Sequence, residues 1–491
     1  METLQRTANR GSISTGYDID NSLKVESANS EYFIRTFSSA GTQTTGTVSF
    51  WIKRTSLGTF QREVDCSNTS GNSSGIFFES DQLCLDFGGS GRHSLRSEAK
   101  LRDTSAWYHC MAVWDTTQST DTERTKIYIN GSRVTIFSTA TYPSQNATSQ
   151  FFTPNDGSGS GNNCLFSRHN SANLGQHTPN GYHAEFHYID GTAKTPSDFG
   201  EFDEDSGIWI PKAYTGSHGS NGFYLDFADA SDLGDDESGN GNDWTETNIT
   251  AADQATDTPT NNFCTLVGDQ QYVPSKSTTL VREGGTIMHG GQNPGAYSTM
   301  GVRSGKWYFE STLLHLGGVG AENHGFGVIA ADRLYDMNIA GEDIGADVGG
   351  WACAGNANPR NNNSGASGAN YLTAPGINVV LGCALDMDNG KIWWHNAGTW
   401  HSLNSTVGNP ANGTSPAWSN LLTATDDFVL PAAGLYANGA GPERAMNFGG
   451  YALAVFTAVG TYSDANGHGS FSYAPPSGYY ALCTKNLEEY G

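Results

Sequence analysis

The sequence predicts an all-β chain: two antiparallel jelly-roll or β-sandwich domains joined by an irregular acidic connector. Three observations predict it. Gly accounts for 61 of 491 residues, an excess that supplies turns rather than helices. Charged residues are only 15% while aromatics reach 11%, so the chain has side chains for cores but few for amphipathic helices. Short runs of β-branched and aromatic residues recur between Gly/Asn/Asp/Ser clusters, the pattern of strands separated by turns. At this length two to four domains are expected.

In chain order, residues 1–21 form an N-terminal arm, which lacks an apolar core of the kind a secretory leader carries. Residues 22–200 are the first sandwich. Thr47-Val48-Ser49-Phe50-Trp51-Ile52-Lys53 alternates, placing Val48, Phe50 and Ile52 on one face. Trp107 to Trp114 is apolar on both faces, as a strand covered on two sides must be. Lys126 to Val134 carries Asn130-Gly131 between two strand runs, which predicts a two-residue hairpin. Residues 201–285 are the connector, with the acidic run Asp229 to Asp243 and a Thr/Asn/Asp/Pro stretch from Thr247 to Asn262. Residues 286–450 are the second sandwich, where Asp388-Asn389-Gly390 is again a hairpin turn between aromatic-rich strands. Residues 451–491 are a tail in which Pro475-Pro476 stops any regular central strand.

Charge narrows the partners. Twenty-six basic against 50 acidic residues give −24, which disfavours a nucleic-acid backbone and an anionic membrane surface. No run of about 20 apolar residues exists, so membrane insertion is not expected. The eight cysteines form no C-x-x-C pair and several sit inside apolar strands, so they are expected to be free buried thiols of a chain made in a reducing cytosol.

The order SFWIKR, AWYHCMAVWD, KIYINGSRV resembles the laminin-G-like, concanavalin A-like jelly roll over residues 20–200. The second sandwich resembles a SPRY domain. Its landmarks are Gly305-Lys306-Trp307-Tyr308-Phe309-Glu310, Gly325-Phe326-Gly327-Val328, Leu385-Asp386-Met387-Asp388-Asn389-Gly390-Lys391-Ile392-Trp393, Pro431-Ala432 and Asn447-Phe448-Gly449. Together with the linking motifs AEFHYIDG, PSDFG, SGNGNDW and TDTPTNNF, the whole chain resembles a family of virion proteins of tailed bacteriophages. That resemblance implies a structural, non-enzymatic protein exposed on the particle, made in the host cytoplasm: a tail-fibre or receptor-binding protein recognising host-surface glycan or envelope protein. The alternatives are a capsid or tail decoration protein contacting other virion proteins, and a polysaccharide-degrading enzyme. A symmetric homo-oligomer is the expected state.

Candidate sites follow from residue chemistry. Sugar-link hydrolysis needs two carboxyl groups flanking the bond, and Glu63-Val64-Asp65 starts an E-x-D-x-x-E strand, but Asn68 stands where the third carboxylate would be. His183, Glu185 and His187 alternate and would share one face, with Asp190 close behind, either as metal ligands or as a solvated sheet face. Asp235, Asp236, Asn240 and Asp243 offer hard oxygens on a Gly-rich loop, which suits Ca²⁺, against the alternative of a solvated acidic loop. The insertion Trp351 to Tyr371, with Trp351, Arg360 and Tyr371 among Asn and Gly, has the aromatic and short polar chemistry of a recognition loop. A second loop, Thr399 to Trp418, adds Trp400 and His401. Against this, Trp351 and Trp418 could instead be lids of the core.

Overall fold

The alternation at Val48, Phe50 and Ile52 produces the strand Thr45–Arg54 of the computed structural model, with all three side chains fully buried. The structure describes residues 17–69, 72–88, 93–154, 163–168, 173–204, 206–267, 280–290, 295–318, 324–334, 344, 349–354, 359–361, 364–365, 369–370, 376–403, 406–425, 427–435 and 441–491. Two units divide the described chain between residues 261 and 262.

In the first unit one sheet runs Ser132–Arg133, Thr125–Ile129, Trp107–Asp115, Thr45–Arg54, Gly181–Asp190, Ser22–Val25, Gln254–Ala255, with Phe223–Leu225 also paired to Gly181–Asp190. The second sheet runs Phe137–Ala140, His93–Lys100, Gln82–Phe87, Asn72–Glu79, Gln61–Thr69, Asn163–Leu165, Tyr32–Arg35, Thr245–Thr247. Val48, Phe50 and Ile52 from the first sheet and Val64, Ile76, Phe78 and Leu85 from the second share one core. Burying each such side chain contributes roughly 1.5–3 kcal/mol relative to exposure. The strand Trp107–Asp115 is apolar on both faces for a visible reason. Cys110, Ala112 and Trp114 enter the core, while Met111 and Val113 pack with Ile189 and Phe199 on the outside. Asn130 and Gly131 have φ of 46° and 75°, the two positive values that the hairpin turn requires.

The expected connector, residues 201–285, takes a different form. Phe223–Leu225, Thr245–Thr247 and Gln254–Ala255 are edge strands of the first sandwich, and Leu233, Trp244 and Ile249 lie in its core. Asp257 ties the segment down: its carboxylate accepts from Lys53 Nζ at 2.7 Å and Trp107 Nε1 at 3.0 Å, all three groups buried. Residues 17–21, assigned to an arm, also belong here, since Ile19 N donates to Thr260 Oγ1 at 3.0 Å.

In the second unit one sheet runs Leu280–Arg282, Ile287–His289, Glu443–Asn447, Lys306–His315, Leu381–Asp386, Lys391–Asn396, Thr399–Trp400. The other runs Gly295–Tyr297, Val429–Gly434, Gly325–Ala330, Gly350–Ala354, Pro359–Asn361, Ser364–Gly365. Trp307, Phe309, Cys383 and Trp394 of the first meet Phe326, Val328, Trp351 and Cys353 of the second. Residues 451–491, expected as a separate tail, are part of this unit. Tyr480–Ala481 pairs in parallel with Trp307 and Tyr308, and Leu482 and Leu487 enter the core. The Asp464 carboxylate organises the turn by accepting from the backbone N–H of Asn466, His468 and Ala481 and from Asn486 Nδ2, at 2.8–2.9 Å. All eight cysteines are free and buried. Among the described residues, no helix is long and apolar enough to cross a membrane.

Candidate functional site

The insertion expected to present Trp351 instead begins as a central strand. Trp351 is in register with Val328, fully buried in the core, and its Nε1 donates to Asn420 Oδ1 at 2.9 Å. Trp351 is therefore a core residue and not a ligand contact. Arg360 lies on the next strand opposite Ala352; its side chain, and the whole of Tyr371, fall outside the described residues. His401 is also buried. Its Nδ1 lies 3.1 Å from Trp394 O, and burial lowers its pKa. Of the three predicted contacts whose side chains are described, Trp351, Trp400 and His401, Trp400 alone is partly exposed.

Trp400 is placed by a tight hairpin. Ala397 and Gly398, at φ of 47° and 79°, form a two-residue turn of the I′ kind between Lys391–Asn396 and Thr399–Trp400, so Trp400 faces His395 across the ladder. The two rings meet edge to face at 4.9 Å. Tyr473, also partly exposed, meets the same His395 ring edge to face at 5.0 Å. A β-carbon on Gly398 would lie 2.9 Å from the Tyr473 ring, so the turn and the tyrosine are in close contact.

A hydrogen-bond chain fixes the rings beneath. Gly398 N–H points at His395 Nδ1 (3.2 Å), which makes Nδ1 the acceptor and puts the ring proton on Nε2. Nε2 then donates to Tyr308 Oη at 2.7 Å, and Tyr308 donates to Glu310 Oε1 at 3.0 Å. Glu310 also accepts from Ser472 N, Tyr473 N and Asn447 Nδ2 at 2.8–3.0 Å. Burial pushes the Glu310 carboxyl above the ordinary range, opposed by those donors, and burial holds His395 down at about 3. Gly382 lies opposite His395, and a β-carbon there would come within 2.0 Å of Nε2, so only glycine leaves room for the ring. Glu310 is enclosed and its oxygens are occupied. Its role is to hold Tyr473 and, through Tyr308, His395. The surface chemistry is that of two aromatic faces, Trp400 and Tyr473.

The candidate carboxylates and histidines of the first sandwich do not form an open site. Glu63 and Asp65 are fully buried, paired with His183 Nε2 and Arg62 respectively at 2.7 Å, and do not flank an open groove. The Asn68 side chain falls outside the described residues. His183, Glu185 and His187 do not share a face, because a bulge between Ala184 and His187 puts Glu185 at φ 51°. His183 turns inward against Phe166 at 4.2 Å. Glu185 and His187 lie outward but are buried, not solvated. Glu185 accepts from Tyr17 and Tyr224 hydroxyls at 2.6 and 2.7 Å, and His187 stacks on Tyr224 at 4.2 Å. Burial raises the Glu185 pKa, but His187 and the tyrosines prevail and the net shift is downward. Asp190 accepts from Thr42 N and Asn221 N, a loop-holding role.

The acidic loop uses its oxygens on itself. Asp236 accepts from the backbone N–H of Tyr224, Ser238 and Asn242 and from Ser238 Oγ at 2.7–2.9 Å. Asn240 donates to Gly219 O and Gly222 O, and Asp243 accepts from Asp236 N. Asp235 lies partly exposed beside this loop. The carboxylates thus organise a turn, and no group of three or more His, Cys, Asp or Glu among the described residues is placed to hold a metal.

Sequence reasoning missed Tyr473, Tyr308, Glu310 and His395. His395 was within reach, because a strand, Ala-Gly and a second strand imply which residue faces Trp400. Tyr473 was not, since no periodicity connects residue 473 to residue 400.

Residues 24–167 match the family described as the concanavalin A-like lectin/glucanases superfamily, of the laminin-G type. No curated protein sequence matches the chain. Among solved structures the chain is similar to the SPRY domain of human HERC1 at 18% identity, covering 35% of this chain and 94% of that one, with a TM-score of 0.27. It is similar to the heptameric SAP-like pentraxin of Limulus polyphemus at 17% identity, covering 36% and 80%, with a TM-score of 0.27. A third similar structure is a Bacteroides ovatus protein described as carbohydrate-binding, at 14% identity, covering 48% and 60%, with a TM-score of 0.33. The family match, set beside the observed sheets, shows the first sandwich to have the concanavalin A-like fold.

Proposed function

We propose that this chain is a non-enzymatic glycan-recognising protein displayed on a bacteriophage particle, where it contacts host-surface glycan through the second sandwich. The observation that carries the reading is the Trp400–Tyr473 pair, two partly exposed aromatic faces held by a buried His395–Tyr308–Glu310 chain. Trp and Tyr give rigid, amphipathic contact area at small entropy cost, and the C–H face of a pyranose is the complementary surface. The concanavalin A-like fold of residues 24–167 supports the same reading, since that superfamily's description includes lectins. Glu63 and Asp65, the carboxylates on which a hydrolytic reading rests, are enclosed. The particle itself rests on the motif order across the chain, as do assembly with other virion proteins and a symmetric homo-oligomer.

Immunogold electron microscopy of purified virions with antibody to this chain tests the location. Label on tail tip or fibres supports host recognition. Label over the head or along the tail tube gives a decoration role instead. Unlabelled particles would remove the virion reading, and release of reducing ends from host polysaccharide would remove the non-enzymatic one.

A further inference from the structure

The stretches of sequence that carry Trp400 and Tyr473 hold no charged residue, although the chain as a whole is strongly acidic. Residues 361–385, 392–425, 445–463 and 465–484 contain no Asp, Glu, Lys or Arg. These stretches supply both aromatic residues, the hairpin that presents Trp400 and the segment that presents Tyr473. They are built from Asn, Ser, Thr, Gly and aromatics, the composition that recognises hydroxyl-rich surfaces by short polar contacts around rigid rings.

The charges on the strands that carry and flank His395 are accounted for. Lys391 sits four residues before His395 on the same strand, about 13 Å along it, beyond the roughly 8 Å screening length of physiological salt. Its Nζ donates to Gly413 O. Asp386 is paired with Lys306 at 3.2 Å at that same distant end of the hairpin. Glu310 lies beneath the rings, but it is buried and accepts from four donors. His395 and His401 are neutral at physiological pH because burial disfavours their cations. Thr399, next to Trp400, is exposed and uncharged.

We infer that the Trp400–Tyr473 surface recognises an uncharged glycan, a neutral hexose polysaccharide, and rejects uronic-acid, sulfated or phosphorylated chains. This inference rests on the glycan reading above and names its substrate class. Two effects favour it. The stretches that supply both rings hold no Lys or Arg to pair an anionic sugar, so such a ligand would lose hydration without compensation. The −24 charge of the molecule adds a repulsive field against any polyanion.

The test is a binding titration of the full chain with dextran, mannan and galactomannan, and in parallel with alginate and dextran sulfate, at 20 mM and 500 mM salt. The expected result is binding to at least one neutral polymer with less than a twofold change in Kd between salts. Trp400→Ala and Tyr473→Ala should each weaken it tenfold or more, with Tm measured to show that both variants fold. Thr399→Lys, an exposed substitution, should leave neutral binding within a few-fold and introduce salt-sensitive binding to dextran sulfate. Binding of alginate or dextran sulfate by the unaltered chain, tighter at low salt, overturns the neutral assignment and leaves glycan recognition standing. Neutral binding that is indifferent to both alanine variants overturns the site. Absence of binding to all five polymers overturns the inference together with the glycan reading.

Discussion

Two glycines set the candidate surface, for different reasons. Gly398 occupies a left-handed position in the turn, where a side chain costs roughly 1–2 kcal/mol, and a β-carbon there would also press on the Tyr473 ring. Gly398→Ala should lower stability by about that amount and weaken glycan binding, because it displaces one of the two rings that make contact. Gly382→Ala should cost more, since its β-carbon would lie 2.0 Å from His395 Nε2 and no exposed side chain can move aside. Overpacking of this kind costs about 1–3 kcal/mol, and losing the bond to Tyr308 adds to it. Urea denaturation of both variants measures the order; equal stabilities would mean that the His395–Tyr308–Glu310 chain does not hold the surface.

At the scale of elements, the segment after the first sandwich's long strands is what closes that domain. Asp257 sits fully buried between Lys53 and Trp107, so removing its carboxylate takes an anion away from a buried ammonium. Asp257→Ala should destabilise the first sandwich by about 3–5 kcal/mol, the usual cost of breaking a buried pair from one side. Hydrogen exchange should show the loss in Thr45–Arg54 and Trp107–Asp115; unchanged protection there would reduce the segment to a surface wrap. The same segment shows why the sequence was legible only in part. Strands of nine or ten residues such as Thr45–Arg54 display their alternation, and Asn130-Gly131 announces a turn. Phe223–Leu225, Thr245–Thr247 and Gln254–Ala255 have two or three residues each, too few for any period, and their partners lie up to about 230 positions away. The acidic run looked like a linker because its carboxylates read as solvated charge. In the fold Asp236 is a hub for backbone N–H groups, a role that only three-dimensional proximity reveals. Trp351 and His401 failed as contacts for a related reason. Aromatics among Asn and Gly look like a recognition loop, yet one of these is mid-strand and the other folds back on Trp394.

On the scale of the whole molecule, burial has shifted titratable groups across the second sandwich, and this predicts how it responds to acid. In the second sandwich burial holds His395 at about 3 and His324 at about 4, and lowers His401, while it raises Glu310. A histidine kept neutral in the fold takes up its proton near pH 6.5 when unfolded. Between pH 6.5 and 4.5 the unfolded state therefore binds more protons than the native one, and stability falls as pH falls. Glu310 opposes this, since a raised carboxyl binds its proton first in the native state. Each histidine so held contributes up to about 1.4 kcal/mol per pH unit across that window. Acidification from pH 6.5 to 4.5 should therefore destabilise the second sandwich. Hydrogen exchange followed by peptide mass analysis should show Lys306–His315 and Leu381–Asp386 losing protection at pH 4.5. His395→Phe, which removes the largest depressed pKa in the second sandwich, should flatten its pH dependence even if it lowers stability at pH 7. Unchanged protection at pH 4.5, or an unchanged slope in His395→Phe, would show that these histidines do not set the acid response.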